Sequence, residues 1–230
     1  MIKNIINSAL CAFIALGLGS CNKSSGDEPI GGTAFTDIVT VASTGNEGTV
    51  FTFRAINDSP EITLTTTQRF TDTSVKDDTR VCITYIPESG KQYESGVVNV
   101  LNYFPCYGPT ITIGTTPGDW SSSAIYLTGL WRSGNWLNMQ MVLNVTNSAR
   151  RFALVLDEAT ADSSMPELHI AFSADLPSTA FAQPSFASFN IAELWNNPEV
   201  EGLKIFFYTS DGQENCATLT KSASEFKPAE

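Results

Sequence analysis

One histidine is all that this chain of 230 residues contains. A Ser-His-Asp triad or a histidine-bearing metal centre would have to use His169, in Leu168-His169-Ile170-Ala171-Phe172. That residue alternates with apolar neighbours, which predicts the wet face of a strand rather than a catalytic group. A Gly-x-Ser-x-Gly elbow, a P-loop and a Gly-x-Gly-x-x-Gly turn are all missing. So is any Cys-x-x-Cys pair, which removes the common zinc spacings. The carboxylate pairs Asp77-Asp78 and Asp157-Glu158 lie near turns, and neighbours on an extended chain point to opposite faces. They read as solvated loop charge, not as a glycosidic acid and base. Asp157, Glu158 and Asp162 offer oxygens for calcium, but without EF-hand spacing. No catalytic residue, metal or cofactor is expected.

Basic residues are also scarce: 13 Lys and Arg stand against 24 Asp and Glu, for a formal charge of −11. A nucleic-acid phosphate partner is therefore not expected, nor is a polybasic contact with anionic lipid. Repeats, heptads and long amphipathic helices are absent.

The longest mostly apolar run, Ile5 to Leu18, is interrupted by Asn7 and Ser8. It falls short of the roughly 20 apolar residues that a spanning helix needs. With Lys3 before it and Gly19-Ser20 after it, it has the layout of a secretory signal over 1–20. The small residues directly before Cys21 resemble the lipobox of bacterial lipoproteins. The resemblance implies cleavage before Cys21, a diacylglycerol on its sulfur and a further acyl chain on the new amino terminus. Each buried CH2 contributes about 0.8 kcal/mol, so several chains hold where one is marginal. Residues 21–32 are polar and bear Gly and Pro, which predicts a flexible tether. Lys23 with Asp27-Glu28 resembles the acidic export signals of Bacteroidetes surface lipoproteins. A solvated spacer is the equal alternative.

Five cysteines are present. Cys11 leaves with the signal and Cys21 is the anchor, so Cys82, Cys106 and Cys216 remain. Three thiols cannot all pair within one chain. Cys82 and Cys106 are the candidate disulfide by proximity in sequence. The alternative is that Cys82 and Cys216 are small buried apolar residues.

About 200 residues follow the tether, enough for a sizeable core without disulfide staples. They read as short strands between turns. Strands are predicted at Thr33–Val41, Thr49–Ile56, Ile62–Thr67, Arg80–Ile86 and Val97–Phe104. Five such strands fit an OB-like small barrel over 33–118. A polar stretch from Thr115 to Ser123 then breaks the pattern. Beyond it, strands are predicted at Ile125–Trp131, Leu137–Val145, Arg150–Leu156, Glu167–Ala174, Phe186–Ile191, Leu203–Thr209 and Cys216–Leu219. One helical turn is expected at Ile191–Trp195, where Asn190 and Glu193 resemble a capping box. This is the count of an antiparallel β-sandwich over 119–230. The strand through Leu137, Met139, Met141, Leu143 and Val145 alternates most cleanly, with Asn138, Gln140 and Asn144 on a wet face. The fold class is all-β.

The second half carries Leu127-Thr-Gly-Leu-Trp131, Gly134-Asn-Trp136-Leu137-Asn138-Met139, Phe152-Ala-Leu-Val-Leu156, Leu168-His-Ile-Ala-Phe172 and Phe186-Ala-Ser-Phe189-Asn190-Ile191. With the lipobox start, this succession resembles the NigD-like lipoproteins of Bacteroidetes. The resemblance implies an OB-like domain followed by a β-sandwich and brings no catalytic residues. It suggests bacteriocin immunity only through the family name. Trp131 and Trp136 flank a hairpin turn and are the candidate ligand contacts, with core capping as the alternative. Trp120 lies in the linker. The expected protein is a lipid-anchored, non-enzymatic envelope protein of the outer membrane, on its outer or periplasmic face. Its partner would be a protein or, alternatively, a glycan.

Overall fold

The computed structural model describes residues 32–70, 75–115, 123–145, 150–174, 180–209 and 212–221. The signal, Cys21, Trp120 and the boundary at 118/119 lie outside the described residues, as does most of the tether.

β-branched and aromatic residues in alternation build the first half. Its strands are β1 (Phe35–Gly45), β2 (Gly48–Arg54), β3 (Glu61–Thr66), β4 (Arg80–Pro87) and β5 (Gly96–Pro105). They close in the order β1-β2-β3-β5-β4, with β1 paired to both β2 and β4. The β3–β5 pair is parallel and the others are antiparallel. This is the OB arrangement. Closing five strands requires sharp bends, and register shifts in β1 at Val41/Ser43 and across β4–β5 at Thr84/Tyr85 supply them. Val39, Phe51, Leu64, Val81, Ile83 and Tyr85 fill the interior.

The second half has β6 (Ile111–Gly114), β7 (Ile125–Ser133), β8 (Trp136–Val145), β9 (Arg150–Asp157), β10 (Glu167–Ala174), β11 (Phe181–Asn190), β12 (Gly202–Tyr208) and β13 (Glu214–Thr220). A five-stranded sheet, β13-β12-β10-β9-β6, stacks on a three-stranded one, β11-β8-β7. Leu137, Met139, Met141 and Leu143 of β8 meet Leu154, Leu168, Phe172 and Ile205 between them. The short helix α1 (Ala192–Trp195) follows β11, and Asn190 Oδ1 accepts the Ala192 N–H at 2.9 Å.

Three features differ from the sequence reading. No strand is predicted at 111–114, because four residues give alternation too little length and Ile113 is exposed. β6 nonetheless pairs in parallel with β9, so the chain joins the second sheet ahead of 118/119. The five-stranded sheet is mixed, since β10–β12 and β6–β9 are parallel. β11 lies in the opposite sheet, so the chain returns beside β10 in the same direction. β11 also starts at Phe181, earlier than expected, and carries Pro184 opposite Val142.

Candidate functional site

The barrel covers one end of the outer face of the three-stranded sheet, while Gln140 and Asn144 farther along β8 stay exposed on that face. Asn138 is expected on a wet face, but it is 1% exposed. Alternation places a residue on a face; it does not say what will cover that face.

Two arginines join the halves. Arg80 opens β4 and is buried. Its Nε donates to Ser188 Oγ at 2.9 Å, and its Nη1 to Thr40 Oγ1 at 2.9 Å. Its Nη2 donates to Asn138 Oδ1 at 3.0 Å and to the Ile38 carbonyl at 3.3 Å. Ser188 Oγ also donates to Asn138 Oδ1, at 2.7 Å, so the acceptor is shared. The guanidinium lies over the Trp136 ring, 4.8 Å from its centroid. Burial pulls Arg80 down to about 10, with Cys106 acting the other way. It therefore stays charged at neutral pH. Arg132 on β7 reaches across the seam in the opposite direction. Its Nη1 and Nη2 hold the two carboxylate oxygens of Asp58 as a fork, and Nη1 also donates to the Gly134 carbonyl at 2.7 Å. That fork holds the Asp58 carboxyl below the usual carboxylate range. The Arg132 guanidinium sits over Trp195 at 4.8 Å.

Backbone bonds complete the seam. The Asn57 N–H donates to the Arg132 carbonyl at 2.6 Å, and the Gly134 N–H to the Asn57 carbonyl at 2.7 Å. Tyr107 exchanges bonds with β11 through Phe186 and Ser188, both at 2.8 Å. Gly108 follows with φ +120, where a Cβ would run into the Ser188 carbonyl.

Beside these contacts lies a cleft of about 420 Å3. Thr40, Thr52, Phe53, Arg54 and Glu61 of the barrel form one wall, with Asp58 and Arg80. The hairpin Ser133-Gly134-Asn135-Trp136 forms the other. The two candidate tryptophans thus separate. Trp136 is half-buried and lines the cleft, with one face covered by Arg80. Trp131 packs with Ile38, Cys82, Cys106 and Phe186 in the seam. Sequence reasoning did not find Arg80 or Arg54, because an arginine at a strand end is indistinguishable from surface charge until the second half is placed against it.

Cys82, Cys106 and Cys216 are all free thiols, so the Cys82–Cys106 bridge is not formed in this structure. The two sit in one apolar cluster. Burial pushes Cys82 well up and Cys106 to about 12, with Arg80 opposing the latter. Both are protonated at neutral pH and are poor nucleophiles.

Among the described residues, one group could hold a metal ion: Asp157, Glu167 and His169. The structure groups Asp157 with these two, not with Glu158 and Asp162 as the calcium reading has it. His169 does lie on the outward face of β10, opposite the core residues Leu168 and Ile170, but its ring is covered. It is 7% exposed and stacks on Phe206, with centroids 4.8 Å apart and planes 12° apart.

No family model matches the chain, and no curated protein matches it. Solved structures do. The chain shares its fold with a NigD-like immunity protein. That protein is from Bacteroides caccae; the match covers 81% of this chain and 97% of that one, at 13% identity and a TM-score of 0.58. A protein of unknown function from Bacteroides vulgatus matches over 85% of this chain and 97% of its own, at 17% identity and a TM-score of 0.61. A candidate lipoprotein from Bacteroides fragilis matches over 84% and 100%, at 12% identity and a TM-score of 0.58. At these identities the likeness is one of fold. The NigD-like resemblance read from the sequence is met at that level, and none of the three is described as an enzyme.

Proposed function

We propose that this protein is a lipid-anchored cell-envelope protein that binds a protein partner without chemistry, and that the cleft between barrel and sandwich is the contact site. The observation that carries the reading is the construction of the cleft. Both halves supply its walls, and Arg80 and Arg132 lock those walls together from opposite sides. A rigid seat binds at lower entropic cost than one that must form on contact. Arg54, Asp58 and Arg80 are held in structural bonds, and among the described residues no histidine or thiol lines it. The Cys21 anchor and the immunity role attached to the NigD-like neighbour support an envelope partner such as a toxin.

Trp136 favours a second reading, glycan binding. An indole edge beside Asn135, Glu61 and Thr52 is a fitting surface for a sugar ring. One experiment addresses both. A photo-crosslinking residue replaces Asn135 in the anchored protein in a Bacteroidetes host, and Glu88, on a distant turn, in the control. A discrete protein adduct from position 135 alone is expected. If it is absent, and a glycan panel quenches tryptophan fluorescence in wild type but not in Trp136→Ala, the glycan reading replaces the first. Silence in both arms refutes the cleft as the binding site.

A further inference from the structure

The outer face of the five-stranded sheet, away from the cleft, carries charge beside a buried ring. Leu168 of β10 pairs with Leu156 of β9, and both point into the sandwich core. Asp157 and Glu167 occupy the next rung and turn to the opposite face, which His169 shares. One ligand atom from each of the three lies within 4.8 Å of the other two. Ala159 N–H donates to Asp157 Oδ1 at 3.0 Å and sets that carboxylate at the head of a single 3-10 turn. Phe206 stacks on His169 and sets the plane of the imidazole.

The charges around the ring do not balance. Asp157, Glu167 and Glu214 all face His169. Lys204 reaches Glu167 at 3.0 Å but is 39% exposed. Burial holds His169 below its ordinary value against the pull of the three carboxylates.

We propose that Asp157, Glu167 and His169 form a binding site for a first-row divalent cation of the zinc type. One nitrogen and two carboxylate oxygens, with a fourth position left to water, suit such an ion. Calcium and magnesium prefer all-oxygen shells and more ligands. Zinc bonds of about 2.0–2.2 Å place tetrahedral donors roughly 3.3–3.6 Å apart. From separations of up to 4.8 Å the donors need to close by at most about 1.5 Å, within reach of rotating the two carboxylates. Lys204 is a competitor for Glu167, which yields a distinctive expectation: removing it tightens the site.

The test uses the full chain in detergent, stripped with chelator, at pH 7.5. Zn2+ is titrated by calorimetry and Co2+ by visible absorption. One equivalent of Zn2+ is expected. Asp157→Asn and His169→Ala should each weaken it at least tenfold, while Lys204→Met tightens it several-fold. Asp157→Asn keeps the cap on the 3-10 turn, so its effect does not depend on whether His169→Ala folds. Cys216→Ser should bind as wild type does. Wild-type protein that takes up no Zn2+, equal binding by Asp157→Asn, or loss in Cys216→Ser with retention in His169→Ala would each overturn the assignment.

Discussion

Replacing Arg80 by Met tests whether that guanidinium holds the two halves together. The thioether chain fills the stem's volume but donates nothing. Ser188 is fully buried and Asn138 is 1% exposed, so their oxygens lose a charged donor where water cannot replace it. Asn138 Oδ1 keeps the Ser188 hydroxyl, which softens the loss. Hydrogen bonds to charged groups contribute about 1.5–3 kcal/mol each, and the contact with Trp136 adds about 1 kcal/mol. Against this, the substitution relieves the desolvation of a buried cation, which costs several kcal/mol. The net expectation is a loss of about 3 kcal/mol. For a domain of 150–250 residues each kcal/mol moves Tm by about 2–4 °C, so Tm should fall by about 6–12 °C. Arg80→Lys keeps the charge but cannot fork to Ser188, Thr40 and Asn138 together, and should fall between the two. Circular dichroism melts at pH 7 on all three proteins decide the matter. A Tm within 2 °C of wild type for Arg80→Met would refute the reasoning. A lysine variant matching wild type would show that charge alone suffices.

Asp37 offers a pH readout. Burial raises its carboxyl to about 6, with the Tyr85 hydroxyl at 2.9 Å and Gln92 Nε2 at 3.1 Å partly opposing the rise. The folded protein binds the extra proton, so stability should fall as pH rises from about 4 to about 6. At about 1.4 kcal/mol per pH unit the loss is at most about 3 kcal/mol, and less because the side chain is only half-buried. Asp37→Asn should flatten that slope and be the more stable protein at pH 7.5; parallel urea midpoints at pH 4.5 and 7.5 would sink this. Thiol reactivity separates the cysteines: exposed Cys216 should react with a disulfide reagent in minutes, half-buried Cys106 more slowly, and buried Cys82 only on unfolding. Peptide mapping without reductant should then give an unlinked Cys106 peptide, and a Cys82–Cys106 cross-link would contradict the structure.

Alternation along the chain was enough to place twelve strands near their observed positions, and the polar residues Asn190 and Glu193 marked the helical turn. A side chain's face in a strand is a local property with period two, and the turn residues between runs are local as well. The all-β class, the five strands of the barrel and the buried row Leu137, Met139, Met141, Leu143 and Val145 were legible for that reason. Tertiary structure decided the rest. It paired β6 with β9, laid the barrel over Asn138, and sent Trp131 into the seam while leaving Trp136 on the cleft. It also brought Arg80 to Ser188, 108 positions away in sequence, and turned His169 into a buried ring beside Asp157 and Glu167. Each of these depends on which surface covers which, and that is a long-range property with no period in the sequence to announce it.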